Sequence, residues 1–368
     1  MMTLKRIRVL AFAAGLALLA AVAGAQGARA DSGTTVTVMT QNLYFGADLT
    51  PVVQATSGTA FLEAVAAAYD QGVASDWTGR AMQWAKEIAA AKPDLVGLQE
   101  AAQWRTGPGD FFPTLDATTV VADFTNLVVN DLAALGVPYA VAAGDTGYDV
   151  EAPGLFANGL MDVRVTLHDV ILARQESRLK VANPQAGQYQ AQIALQTVGG
   201  SISLPWAWAS VDASIGSHTF RFATTHLDSI SGAAQVAQAQ EFLAPAGPGS
   251  TTLPLVWAGD FNSDADATTI TRIPPDTATY QNIVGAGLSD TWAAVNPGDP
   301  GYTCCEAANL DNPQPTLDQR IDQVFTRGPW QAVGATTVGA GPTDKTAGNL
   351  WPSDHAGIIV KLNLQGRS

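Results

Sequence analysis

Apolar and polar positions along this chain fall into short strand-like runs separated by helical ones. Thr35-Val-Thr-Val-Met-Thr40 alternates with a period of two, as a half-buried strand does, and ends in Gln41-Asn42-Leu43-Tyr44. Residues 58–70 and 79–91 are alanine-rich and helical, the second starting near Gly79-Arg80 and stopping before Pro93. Asp94-Leu-Val-Gly-Leu-Gln99 is the next strand and closes on Glu100. A polar, aromatic loop (Trp104, Arg105, Phe111, Phe112) follows, then a helix over 117–135.

Further strands are expected at 138–143 and 165–173, then three β-rich runs at 189–197, 203–214 and 218–226. Residues 232–243 read as a helix, 244–254 as a Pro/Gly linker, and 255–259 as a buried strand that stops at Gly259. A helix near 277–285, a long loop over 296–319, and strands at 320–325 and 356–362 complete the order. Strands alternate with helices and no composition break divides the chain, so residues 31–368 are expected to form one α/β domain.

The first 30 residues stand apart. Lys5, Arg6 and Arg8 precede an apolar, small-residue run from Val9 to Ala25, and Ala28-Arg29-Ala30 has the small-x-small form of a cleavage site. The segment is expected to be a signal peptide, removed after Ala30 on export, with the mature chain starting near Asp31 and secreted. No second run approaches the length that spans a membrane, so the mature chain is not expected to be an integral membrane protein.

The whole chain carries 33 acids against 19 bases, a net of −14; without the leader's four bases it carries 33 against 15, a net of −18. Such a surface repels polyanions at long range and disfavours a basic DNA-binding face. A nuclease with a cation in its cleft stays compatible, because the ion supplies the local positive field. Cys304 and Cys305 are the only cysteines, so no disulfide framework is expected, and as neighbours they read as small loop residues.

Chemistry concentrates at strand ends. Val256-Trp-Ala-Gly-Asp-Phe-Asn262 brings a carboxylate and an amide to the mouth of a buried strand, a pairing suited to phosphate chemistry. A calcium loop built on Asp260, Asn262, Asp264 and Asp266 fails, because Ala265 replaces its glycine and Thr271 its glutamate. Asn42, Glu100 and His226 also end strands, Asp322 lies within one, and Asp354-His355 enters the last. Strand ends on one side of a sheet converge, and α/β folds place their chemistry there.

Met39-Thr-Gln-Asn-Leu43, Pro93 to Glu100, Thr225-His-Leu-Asp-Ser229, Gly259-Asp-Phe-Asn-Ser263, Gln319-Arg-Ile-Asp-Gln-Val324 and Ser353-Asp-His355 together resemble the endonuclease/exonuclease/phosphatase superfamily, the deoxyribonuclease I-like fold. The resemblance implies a four-layer sandwich: two mostly antiparallel β-sheets face to face, flanked by helices, with a divalent cation at one end. It implies Glu100 as principal Mg²⁺ ligand, Asn42 beside it, and Asp354 assisting the metal or the catalytic cluster; Mn²⁺ and Ca²⁺ are the alternative ions. Asp260 would position the attacking water, and Asn262 would donate to non-bridging oxygens. His226 would contact the phosphate or protonate the leaving oxygen, His355 would act as general base or phosphate contact, and Asp322 would orient the histidines.

Tyr44 stands where some members of that superfamily carry an aspartate. The superfamily's mid-chain phosphate contact is sought within 154–174 (Asn158, Asp162, Arg164), and Gly301-Tyr-Thr-Cys-Cys-Glu306 matches none of its general motifs. The expected activity is metal-assisted hydrolysis of a phosphate ester of the phosphodiesterase or nuclease type, on nucleic acid or a phospholipid head group. A sphingomyelinase-like phosphodiesterase and a phosphomonoesterase are the alternatives. A catalytically silent binding module on this fold should have lost some of Glu100, His226, Asp260, Asn262 or His355, and all are present.

Overall fold

The computed structural model describes residues 34–110, 115–265 and 278–365. The leader 1–30 with its cleavage point, Phe111 and Phe112, and Asp266 and Thr271 lie outside the described residues.

The chain runs β1 (Thr34–Asn42), α1 (Thr50–Val53), α2 (Gly58–Ala74), α3 (Trp77–Ala91), β2 (Leu95–Gln99), β3 (Gln103–Pro108), β4 (Thr119–Asp123) and α4 (Phe124–Ala134). A long hairpin, β5 (Tyr139–Phe156) and β6 (Gly159–Arg174), is followed by β7 (Lys180–Gln188), β8 (Ile193–Thr197), β9 (Gly200–Leu204), β10 (Ala207–Ile215) and β11 (His218–His226). Next come α5 (Gly232–Leu243), β12 (Leu255–Asp260), α6 (Thr279–Gly285), β13 (Ser289–Asp290) and α7 (Thr291–Val295). The last three are β14 (Asp322–Arg327), β15 (Trp330–Val338) and β16 (Gly357–Leu364).

One large sheet is ordered β15-β16-β1-β2-β6-β3-β4, with β5 also paired to β6; the second is ordered β13-β14-β12-β11-β10-β7, and β8-β9 form a separate two-stranded sheet. Two pairings are parallel, β1 with β2 and β11 with β12, and the remaining ones are antiparallel. Strand alternation sorts the side chains into layers. Val36, Val38, Leu95 and Ile171 meet Phe220, Phe222, Val256 and Ala258 between the sheets. Trp84 and Ile88 of α3, with Phe61 of α2 and Leu132 of α4, cover the outer face at Met39, Val96 and Leu98. Phe242 of α5 stacks on Trp257 at 3.8 Å and 6°, and with Ile283 of α6 covers the outer face of the second sheet. The layers are therefore helix, sheet, sheet, helix, as expected.

Between the sheets the apolar filling gives way to hydrogen bonds toward one end. Thr40 Oγ1 donates to Gln99 Oε1 (3.1 Å), and Gln99 Nε2 crosses to Thr224 Oγ1 of the second sheet (2.7 Å). A Cβ on Gly97 would come within 2.4 Å of that Thr224 oxygen, so glycine is what lets the sheets approach here. This polar layer is the floor on which the strand ends sit.

Several boundaries differ from the sequence expectation. Residues 103–108 and 119–123 are strands rather than loop and helix, because Thr119-Val-Val pairs with β3 and α4 begins only where Asp123 caps the amide of Asn126. Trp104 is buried and stacked on Trp77 rather than on an exposed loop. The strands expected at 138–143 and 165–173 extend into one hairpin, since Asp, Thr, Gly and Glu within 144–156 pair as well as apolar residues do once β6 lies alongside. The run expected at 189–197 is a strand only over β8, and β7 ahead of it has no counterpart in the expectation. The 203–214 run divides into β9 and β10 at Pro205. Strand β15 and helix α7 have no counterpart in the expectation; β15 is half exposed and lies at a sheet edge.

Candidate active site

The two parallel pairs bring four strand ends to one place. Asn42 is the last residue of β1 and Glu100 follows the last residue of β2. His226 and Asp260 end β11 and β12 as register partners, and Asp260 is also the partner of Asp322 at the start of β14. Gly259 does not end its strand as expected; β12 runs through to Asp260. Its φ is +150°, and a Cβ there would meet the carbonyl oxygen of Thr225 at 2.1 Å, so the glycine serves close strand contact.

Tyr44, Glu100 and Asn262 have left-handed backbones, with φ of +52°, +52° and +48°. Each non-glycine residue there costs roughly 1–3 kcal/mol, offset by the bonds that the conformation permits. The Asn42 side chain joins the carboxylates: Nδ2 donates to Glu100 Oε1 (3.2 Å) and to Asp260 Oδ2 (3.0 Å), and Oδ1 accepts from the Tyr44 amide (2.8 Å). Glu100 Oε2 accepts from the Phe45 amide at 3.0 Å. Asp260 Oδ1 accepts from the Asn262 amide (2.8 Å), and Asn262 Nδ2 donates one hydrogen to the Leu227 carbonyl (2.9 Å), leaving the other for a ligand.

The two histidines differ. His355 Nδ1 lies 2.7 Å from Asp322 Oδ2 and 3.9 Å from Asp260 Oδ2, while its Nε2 lies 3.9 Å from Asp354 Oδ1. Burial alone opposes a charged imidazole, but Asp322, Asp354 and Asp260 outweigh it and hold His355 protonated well above its ordinary range. His226 Nε2 is 3.5 Å from Asp260, and its ring packs edge-on against Trp206 at 4.4 Å. Burial, helped by the neighbouring His355, pushes His226 down to about 3, so it is neutral.

The carboxylates exceed the cations that face them. Burial raises the carboxyls of Glu100, Asp260 and Asp354, and each has another carboxylate nearby or is only partly relieved by His355. Oδ1 of Asp322 and Oδ1 of Asp354 are buried and have no hydrogen-bond partner among the described residues. Asp260, Asp322 and His355 each offer a ligand atom within 4.8 Å of the others. Orphaned acceptors in a negative, oxygen-rich set fit a hard divalent cation of the Mg²⁺, Mn²⁺ or Ca²⁺ kind.

All eight residues expected from sequence (Asn42, Glu100, His226, Asp260, Asn262, Asp322, Asp354 and His355) lie at this end of the sandwich. The stretch sought for a mid-chain phosphate contact does not supply one from its named residues. Asn158 is exposed at a hairpin tip, Asp162 accepts from the Asp110 amide, and Arg164 pairs with Asp149. Tyr148 and Asp169 face the site instead. The Tyr148 hydroxyl is raised by burial and then by Glu100, and Asp169 by burial and then by Glu100 and Asp260. For Asp169 a signal existed: a lone carboxylate inside the apolar run Val163–Ala173.

Arg80 is the other residue that the sequence hid. It is fully buried in α3, with its guanidinium over the Tyr44, Trp84 and Phe124 rings. It donates to the Pro352 carbonyl (2.7 Å) and to the carbonyls of Leu43 and Tyr44. It thereby ties the segment after Asn42 to the segment before Asp354.

Solved structures share this fold at low identity. An endonuclease/exonuclease/phosphatase family protein from Bacteroides thetaiotaomicron aligns over 90% of this chain and 98% of its own, at 17% identity and TM-score 0.55. A mannosyl-6-phosphatase from the same organism aligns over 89% and 99%, at 17% and 0.54. A humanized D. rerio TDP2 aligns over 89% and 99%, at 15% and 0.51. No curated protein sequence matches significantly. The profile of the Endonuclease/Exonuclease/phosphatase family matches residues 39–355, from the strand that ends in Asn42 to His355 itself, and the chain belongs to that family.

Proposed function

We propose that this chain is an exported hydrolase of phosphate esters that works with a divalent cation, Mg²⁺ first. The observation that carries this reading is the Asp260–Asp322–His355 cluster, with its orphaned carboxylate oxygen, lying beside Asn42 and Glu100. Glu100 and Asp354 are the residues we assign to the cation, with Asn42 orienting Glu100. When bound, the ion would neutralise phosphate charge and polarise the ester toward attack by water. Asp260 holds that water in line with the leaving oxygen and accepts its proton. Asn262 donates to a non-bridging oxygen, and protonated His355, fixed by Asp322, supplies a charged donor to another. Neutral His226 suits a hydrogen bond to the phosphate better than proton donation to the leaving oxygen.

The leading substrate class is a phosphodiester. Neighbours in fold include a mannosyl-6-phosphatase and a D. rerio TDP2 complexed with single strand DNA product, so a phosphatase and a DNA-bound protein share this scaffold. The net charge of −14 disfavours a long duplex as the preferred ligand and leaves a nucleic-acid end, a head group or a small ester. Among the described residues no helix is long and apolar enough to cross a membrane.

The test is hydrolysis of plasmid DNA, RNA, sphingomyelin, bis-p-nitrophenyl phosphate and p-nitrophenyl phosphate, with Mg²⁺ and after chelation. Cation-dependent turnover of any of these supports the reading, and the preferred ester assigns the class. Turnover that survives exhaustive chelation would sink the metal mechanism; no turnover of any ester would sink the enzyme.

A further inference from the structure

The loop over 296–319 brings its two cysteines to the site. Cys304 forms an isolated bridge to Gln319 on one side and to His355 on the other. The Thr303 carbonyl accepts from the Ala356 amide at 2.8 Å, and the Glu306 amide donates to the Asp354 carbonyl at 2.8 Å. The Cys304–Cys305 pair is thus tied on both flanks to the segment that carries His355. Cys304 and Cys305 are joined as a vicinal disulfide, with Cys304 buried and Cys305 exposed. Their two sulfurs and one ring nitrogen of His355 all lie within 4.8 Å of one another.

We propose that, once the disulfide is reduced, Cys304, Cys305 and His355 form a three-ligand site for a thiophilic divalent cation such as Zn²⁺, distinct from the carboxylate site for Mg²⁺. The cystine itself offers no thiolate. A dithiol or phosphine reductant supplies two electrons and two protons and leaves two thiols. Cation binding then releases those two protons as the sulfurs become thiolates, and a third from Nε2 of the His355 imidazolium, which frees that nitrogen for the ion. Two thiolates and an imidazole are the ligand type that selects Zn²⁺ over Mg²⁺, with a fourth position left to water. Nδ1 of His355 is already held by Asp322, which leaves Nε2 for the cation; a carboxylate behind a metal-bound histidine is a common orienting device. Exposed Cys305 gives the ion its way in. Occupancy withdraws His355 from phosphate, so the reduced protein is inhibited by Zn²⁺ and the oxidised protein is spared.

The experiment uses the full chain, oxidised and reduced, with Co²⁺ as spectroscopic probe and Zn²⁺ as inhibitor at saturating Mg²⁺. The expected result is a thiolate-to-Co²⁺ charge-transfer band in the reduced protein alone, bleached by Zn²⁺. Cys305→Ser, at an exposed position, should weaken Co²⁺ binding by at least about 10–100-fold, the loss that even an outer-shell partner brings. It should keep its Mg²⁺-supported turnover while losing Zn²⁺ inhibition; Cys304→Ser serves as the second variant. The Co²⁺ band needs no substrate, so its outcome is separate from that of the hydrolase reading. No band after reduction, equal affinity in Cys305→Ser, or Zn²⁺ inhibition of the same strength in oxidised and reduced protein each overturn the site. So does a cysteine pair that no reductant opens in the folded chain.

Discussion

His355 Nδ1 and Asp322 Oδ2 are 2.7 Å apart and both residues are buried, while the other Asp322 oxygen has no hydrogen-bond partner among the described residues. The carboxylate therefore sets both the tautomer and the charge of the imidazole. Replacing it by an amide of the same shape separates that role from packing.

Asp322→Asn is expected to lower kcat by about 10²–10⁴-fold with a small change in KM. The sign of the pH effect follows from the charge. Asp322 helps to raise His355, so activity that needs the protonated ring is present at low pH and lost as pH rises through the folded value. In the variant that alkaline limb should move to lower pH. A pH–rate profile on bis-p-nitrophenyl phosphate checks this; an unmoved limb would remove His355 from the rate-determining protonation.

Asp260→Asn and His355→Ala are expected to reduce kcat strongly; Asp260→Asn should change thermal stability little, whereas His355→Ala strands the buried Asp322 carboxylate and should cost about 1–3 kcal/mol. Burial raises the Asp260 carboxyl and Asp322 adds to it, so losing its charge relieves both desolvation and repulsion when no cation is bound. Melting temperature and kcat are to be measured on the same preparations. Early unfolding with near-normal kcat while folded would make both residues structural.

A third expectation concerns stability rather than chemistry. Glu87 is buried in α3, and burial, reinforced by Asp344, pushes its carboxyl up to about 8. Its folded value exceeds its unfolded one, so the folded state holds the extra proton. Stability is then greatest below about pH 4.5 and falls as pH rises toward 8. Glu87→Gln should gain roughly 2–5 kcal/mol over the parent above pH 8 and little near pH 4. Denaturant midpoints at the two pH values decide it.

The exported protein is expected to begin near Asp31. Intact-mass measurement of secreted material reads this directly, and an intact Met1 or Met2 there would contradict the leader.

The residues that the fold gathers at the candidate site were legible in sequence because each interrupts, ends or borders an apolar strand. Asn42 after Val-Thr-Val-Met-Thr, Glu100 after Leu-Val-Gly-Leu-Gln and Asp260 after Val-Trp-Ala-Gly are polar residues where the pattern calls for burial. Tyr148 escaped because its strand is mixed throughout, and an aromatic there looks like any half-buried position. Arg80 escaped because a cation in the first turn of a helix normally faces water, and only the tertiary structure supplies the three carbonyls that it bonds. Strand β15 was hidden by its exposure. Edge strands carry too little apolar periodicity to read.

The neighbourhood of β1 has a kinetic side. It lies between β2 and β16, so Asn42 reaches Glu100 across a loop of tens of residues, and its neighbour Gln41 reaches the His355 carbonyl across nearly the whole chain. Closing the second loop is the slower event, since chain entropy resists contacts between distant residues. A half-made protein can therefore hold Asn42 and Glu100 in register while lacking Asp322, Asp354 and His355. The candidate site comes into being only after the chain has been made as far as His355 and the distant segments of the fold have found each other.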